Sequence, residues 1–249
     1  MSGHSKWSQI KRQKGANDAK RGQLFTRLGR EIAIAVREGG SDPNGNFRLR
    51  LVIQRARENN MPLENIERAI KRGSGGGEGG DLDEIQYEGY GPGGGAVIVQ
   101  VMTDNRNRSA GEVRSVFTKF GGNLGETGSV GWQFADRGVI TVAINGHSAD
   151  DLELAAIDAG AVDVTLDGDE LEIQTEPGDM EAVRQALEAQ KAEIVNAERL
   201  LVPTTTVALD SKHAAQMLRL VDRLEELDDV QKVYSNVDIA DEDVEAFEG

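Results

Sequence analysis

Val139-Ile140-Thr141-Val142-Ala143-Ile144 is an apolar run of strand length, and the pattern that follows it decides the fold. Behind it come a helical spacing over residues 148–159, two short stretches at 162–166 and 170–175, a second helical spacing at 179–190 and a last strand at 193–201. The order is β-α-β-β-α-β, which predicts one ferredoxin-like unit. Outward on either side lie β-α-β pieces: strand 96–102, helix 108–120 and a short strand at Asn123-Leu124 before it, then strand 205–209, helix 211–227 and strand 230–237 after it. These outer pieces can pair into a second such unit interrupted by the first. The reading is an α+β multidomain chain with two ferredoxin-like domains, residues 82–128 plus 204–249 forming one and residues 129–203 the other, inserted in it.

Further out, toward the N-terminus, the period changes to that of helices. Over residues 17–37, Leu24, Phe25, Leu28, Ile32, Ala35 and Val36 fall on one face, with Arg27, Arg30 and Arg37 opposite. A second helix over 46–59 has an apolar face of Leu49, Val52, Ile53 and Ala56, edged by Arg48 with Arg55 and by Arg50 with Arg57. A third opens at Met61-Pro62, where proline suits the first turn, and runs through Ile66, Ala69 and Ile70 to Gly73. Together they predict a three-helix bundle which, with the arm before it, makes a basic head over residues 1–75. The glycine-rich run at 73–80 reads as a flexible linker to the rest.

Charge divides the chain in the same place. Residues 1–72 hold 16 Lys and Arg against 7 Asp and Glu, a net of +9, while residues 73–249 hold 12 against 36, a net of −24. A basic head on an acidic body points to a polyanion at one end only. Residues 1–16 are too small and polar to bury a core; they read either as a frayed terminus or as an arm that orders on nucleic acid, with Lys6, Lys11, Arg12 and Lys14 against phosphates. Trp7 either stacks on a base or pins the arm to the head, and Lys20, Arg21, Arg27 and Arg30 continue the cationic surface. In the body, Arg106, Arg108, Arg114 and Lys119 follow a strand and open a helix. They are a second anion contact or a capped turn whose arginines pair with Asp104 and its neighbours. The stretch from 238 to 249 has six acids and no base, and suits a basic protein or no partner at all.

Other chemistry finds little footing. The chain has no cysteine, its three histidines, His4, His147 and His213, have no ligand-spaced partner, and no carboxylate pair stands out as acid and base. No catalytic residue, metal or cofactor is expected. Gly89-Tyr90-Gly91-Pro92-Gly93-Gly94 matches G-x-G-x-x-G, but it precedes a strand instead of opening a helix, so it reads as a turn. No apolar run approaches the roughly 20 residues of a membrane helix, and no secretory h-region follows the N-terminus. A cytoplasmic protein with no membrane partner is expected.

Gly3-His4-Ser5-Lys6-Trp7, Arg30-Glu31-Ile32, Asn60-Met61-Pro62, Asn65-Ile66-Glu67-Arg68-Ala69-Ile70, Tyr87-Glu88-Gly89-Tyr90-Gly91-Pro92, Thr103-Asp104-Asn105-Arg106-Asn107-Arg108 and Gly121-Gly122-Asn123-Leu124 resemble signatures of the YebC family. The likeness is strongest over residues 3–134 and continues in pattern to about Asp238. Because it begins at Gly3, with no transit extension before it, it suggests a bacterial-type cytoplasmic member. The resemblance implies a helical domain and two α+β domains. It also implies a non-enzymatic regulator of gene expression, by DNA binding and transcriptional regulation or by ribosome-associated work on RNA that eases translation stalls. Nucleic acid, as DNA or ribosomal RNA, and the ribosome are the partners this suggests. The other reading is a protein–protein adaptor acting through the acidic body.

Overall fold

The structure, a computed structural model, describes residues 18–75 and 83–248. It divides into two compact units: Ala135–Val202, and the rest of the described chain on either side of that segment.

The larger unit begins with α1 (Asp18–Gly39), α2 (Phe47–Glu58) and α3 (Leu63–Gly73). The helical spacing read from sequence is the packing observed: Leu28, Ile32, Ala35 and Val36 of α1 meet Leu49, Val52, Ile53 and Ala56 of α2 and Ile66 and Ala69 of α3. Each such leucine, isoleucine or valine, once buried, contributes about 1.5–3 kcal/mol against the entropy of ordering it. Asn46 fixes the corner between α1 and α2. Its Oδ1 accepts from the Leu49 amide at 3.0 Å as the N-cap, while its Nδ2 donates to the carbonyls of Ala35 at 2.7 Å and Gly40 at 2.9 Å. Gly73 is the last residue of α3 and buried, not the first of a linker; a Cβ there would lie 2.6 Å from the Ala33 carbonyl oxygen. Of the linker expected at 73–80, residues 76–80 lie outside the described residues.

The body of this unit is a sheet of β1 (Asp83–Tyr90), β2 (Ala96–Thr103), β3 (Asn123–Leu124) and β9 (Val230–Ser235) in the order β3-β1-β2-β9. Helices α4 (Arg106–Lys119) and α7 (Ser211–Glu225) bury Val113, Phe117, Met217, Leu220 and Leu224 against Val97, Val99, Val101 and Val233 of the sheet. Two elements differ from the sequence reading. β1 was not expected: it takes the inner position that the strand at 205–209 was to fill, and it gets there by a hairpin, Asp83 opposite Thr103 through Tyr90 opposite Ala96. The displaced segment keeps only β8 (Val207–Ala208), paired in parallel with β10 (Val237–Asp238). The hairpin turn is the glycine-rich motif, closed by Gly91 N–H to Gly95 O at 2.8 Å and leading into β2, as a turn and not as the start of a helix. Gly89 is needed inside β1, since a Cβ there would sit 2.6 Å from the Asn123 carbonyl oxygen. The chain closes on α8 (Asp241–Glu248), whose Val244 is buried in the same core, so the acidic tail is packed at that point.

The smaller unit holds β4 (Phe134–Ala143, its first residue in the larger unit), α5 (Ala149–Asp158), β5 (Ala161–Asp167), β6 (Glu170–Thr175), α6 (Met180–Ala189) and β7 (Glu193–Pro203, its last residue in the larger unit). Its strand order, β5-β6-β4-β7, is that of a ferredoxin-like sheet, as the run from Val139 predicts. Ile140, Val142, Leu171, Ile173, Leu152, Val183 and Leu187 are its buried residues of largest consequence.

Candidate nucleic-acid interface and two buried carboxylates

The arm residues Lys6, Trp7, Lys11, Arg12 and Lys14 lie outside the described residues, and Lys20 and Arg21 fall in the first turn of α1. For the rest of the head, ion pairing decides which cations stay available. Arg48 pairs with Glu38, and Arg55 with Glu31 at 2.8 Å, both within the bundle. Arg37 pairs with Glu84 of β1 at 3.2 Å. Arg27, Arg50, Arg57, Arg68, Lys71 and Arg72 have no acidic partner among the described residues, and Arg50 lies 5.0 Å from the centre of the Phe47 ring. Of these, Arg50, Arg57, Arg68 and Lys71 are exposed. Arg57, Lys71 and Arg72 stand in the last turns of α2 and α3, where they also complement the carbonyl ends.

Arg30 departs from its expected role. It is turned away from solvent, and its Nη2 donates to Asp229 Oδ1 at 3.1 Å, tying α1 to the segment before β9. Burial lowers its pKa from the ordinary guanidinium value, Asp229 and Asp228 pull the other way, and Arg72 adds to the lowering. Arg30 is thus a bridge within the unit.

Asp229 is the centre of that bridge. Its side chain is 7% exposed, and Oδ2 accepts from Ser109 Oγ at 2.6 Å, Arg108 Nη2 at 2.8 Å and Thr103 Oγ1 at 2.9 Å. Burial alone would raise its pKa; the hydrogen bonds from Ser109, Arg108 and Thr103 and the Arg108 charge outweigh that and hold it below the usual range. Of the two readings for the second basic group, the side chains of Arg106 and Arg108 take the capped turn. Asn105 Oδ1 caps α4 by accepting from the Arg108 amide at 3.1 Å, and Arg108 also reaches Asp104 at 2.9 Å. Arg106 forms a two-pronged pair with Asp83, at 2.7 and 3.1 Å. Arg114 and Lys119 remain exposed, the latter 5.7 Å from the Phe120 ring centre.

A second carboxylate, Glu88 of β1, is only 4% exposed. It accepts three backbone N–H bonds from one loop: Gly131 at 2.7 Å, Val130 at 2.8 Å and Gly128 at 2.9 Å. Burial pushes its pKa up, but these amides, with Gln86, bring it below the ordinary value, so it is ionised at neutral pH. The same loop is held by Gly125 N–H to Glu88 O at 2.8 Å, and Gly128 adopts φ +87. Sequence reading passed over both carboxylates because their partners lie far along the chain, 120 residues from Ser109 to Asp229 and 40 or more from Glu88 to its loop. The nearest signal was Glu88 itself, a charged residue inside the alternation of Ile85, Tyr87 and Gly89.

Among the described residues no group of three or more His, Cys, Asp or Glu side chains is placed to hold a metal, and no helix is long and apolar enough to cross a membrane.

Two family models match this chain, one in the helical head and one in the α+β body. The family model for the TACO1/YebC protein N-terminal domain matches residues 5–76, and that for the TACO1/YebC second and third domain matches residues 82–237. A probable transcriptional regulatory protein of Chloroflexus aurantiacus is 55% identical over 251 residues, covering 100% of both chains. One from Dehalococcoides mccartyi is 56% identical over 247 residues, 99% of this chain and 98% of its own. The crystal structure of a conserved hypothetical protein from Aquifex aeolicus superposes with a TM-score of 0.80 at 46% identity, covering 92% of this chain and 95% of that one. With head and body both matched and relatives aligned from end to end, the chain belongs to the TACO1/YebC family.

Proposed function

We propose that this protein regulates gene expression by holding a nucleic-acid backbone against its helical head, structured RNA foremost. The regulatory part rests on the family, whose relatives are named probable transcriptional regulatory proteins. The nucleic-acid part rests on one observation: with the ion pairs accounted for, Arg50, Arg57, Arg68 and Lys71 are exposed and lack an acidic partner among the described residues. The arm lysines and Arg12 add to the same charge, whereas the body is acidic and repels phosphate. Cations distributed over two helices, α2 and α3, suit phosphates, which position a protein without reading sequence; RNA recognised by shape and backbone needs no more.

The test has two parts. Binding of a structured RNA should weaken linearly in log K against log salt, by about 0.7–0.9 per phosphate contact. Replacing Arg57, Arg68 and Lys71 by Ala should flatten that slope, and an unchanged slope removes the helices from the interface. Crosslinking in cells followed by sequencing then identifies the target: ribosomal RNA as main product supports the reading, and promoter DNA would replace it with the transcriptional one.

A further inference from the structure

Trp132 is 71% exposed, and Tyr90, at the end of β1, is 38% exposed. Both are anchored on one atom. The indole Nε1 donates to the Ser129 carbonyl at 3.2 Å, and the Tyr90 hydroxyl donates to the same oxygen at 3.1 Å. The loop that carries Trp132 and Ser129 is fixed from beneath by the Glu88 carboxylate, which accepts from three of its amides. Two large aromatic side chains are therefore held in place by their polar tips, with much of their ring surface left to water. Such a surface on a built loop marks an interaction site, since tryptophan and tyrosine dominate binding hot spots.

The charge around the loop selects among possible occupants. Residues 125–133 contain no Lys or Arg, and Glu126 is exposed on the loop. Glu88 is ionised and has no cationic partner among the described residues; a Cβ on Gly131 would lie 3.3 Å from its Oε1. A buried negative charge under the loop and another on it repel the phosphate that would accompany a stacked nucleobase. They attract a cation, and the indole face is the strongest side-chain acceptor for one. We propose that Trp132, with Tyr90 beside it, docks a cationic side chain, arginine foremost, projecting from a protein partner. This surface is separate from the cations of the head, and the proposal does not depend on what the head binds.

The probe is a fluorophore-labelled peptide of about ten residues, half of them arginine, compared with the same peptide carrying uncharged citrulline, and read by anisotropy with the full-length protein. The arginine peptide should bind and the citrulline peptide should not. Trp132→Phe, which keeps a weaker π face, should raise Kd about threefold, and Trp132→Leu, apolar without a π face, about tenfold or more. Glu126→Gln leaves the aromatic platform intact and should raise Kd about twofold. Binding of the arginine peptide unchanged in Trp132→Leu would overturn the proposal, as would citrulline and arginine peptides binding alike. Binding of a single-stranded oligonucleotide, measured without the peptide, that is lost in Trp132→Leu would overturn it in favour of base stacking.

Discussion

Asp229 and Glu88 are both buried, both ionised and both held below the ordinary carboxylate range, yet they do opposite jobs. Asp229 collects side chains from separate parts of the chain: Arg30 of α1, Thr103 at the end of β2, and Arg108 and Ser109 in the first turn of α4. Glu88 collects backbone amides from one short loop. The first fastens elements to one another, and the second sets the shape of a segment that faces solvent. Side-chain partners come from anywhere in the fold, whereas consecutive amides can only converge on a carboxylate by bending the chain that bears them.

The comparison can be broken by removing each charge. Asp229→Ala leaves Arg30, Thr103 and Ser109 without their shared acceptor, and should cost about 2–4 kcal/mol of global stability, the half-exposed Arg108 being relieved by water. Urea denaturation measures this, and a loss below about 1 kcal/mol would mean that the elements are fastened elsewhere. Glu88→Gln keeps an acceptor but loses the charge, and should cost about 1–2 kcal/mol. Its distinguishing sign is local: hydrogen exchange at the amides of Gly128, Val130 and Gly131 should speed up while the α1–α3 core stays protected. Equal loss of protection in the helices would put Glu88 in the same class as Asp229.

Acid should sharpen the contrast further. Both groups have folded pKa values below the unfolded ones of about 3.9 and 4.3, so on acidification the unfolded chain takes up protons first. Their contribution is whole above about pH 5 and is lost as pH falls through the folded values. Stability measured between about pH 2 and 6 should therefore fall less steeply in Asp229→Asn than in the native chain; parallel curves would deny Asp229 this role. The smallest effect is expected from Asp83→Asn. Its pair with Arg106 is geometrically good but lies in water, so the denaturation midpoint should stay within experimental error.

What could be read from sequence was whatever repeats over short distances. The apolar spacing of α1 and α2 gave their buried faces, and the run from Val139 gave the β-α-β-β-α-β order of the smaller unit. β1 escaped because half of Asp83-Glu84-Ile85-Gln86-Tyr87-Glu88 is acidic, although Ile85 and Tyr87 alternate as a strand should. One of its acids turns out to be the anchor of a loop more than forty residues on. Opposite sides of a helical wheel were likewise legible, but not that Arg30, on the polar side of α1, meets a carboxylate 199 residues later. Trp132 carried no pattern at all; only its exposure in the folded chain sets it apart.

Thr204 donates both its amide, at 2.8 Å, and its hydroxyl, at 3.0 Å, to the carbonyl of Gln133. The chain therefore leaves the larger unit and re-enters it at one spot, like a thread knotted where a bead was strung. A splice of a few residues across that knot would close with little entropic cost, leaving the host sheet with every one of its own strands.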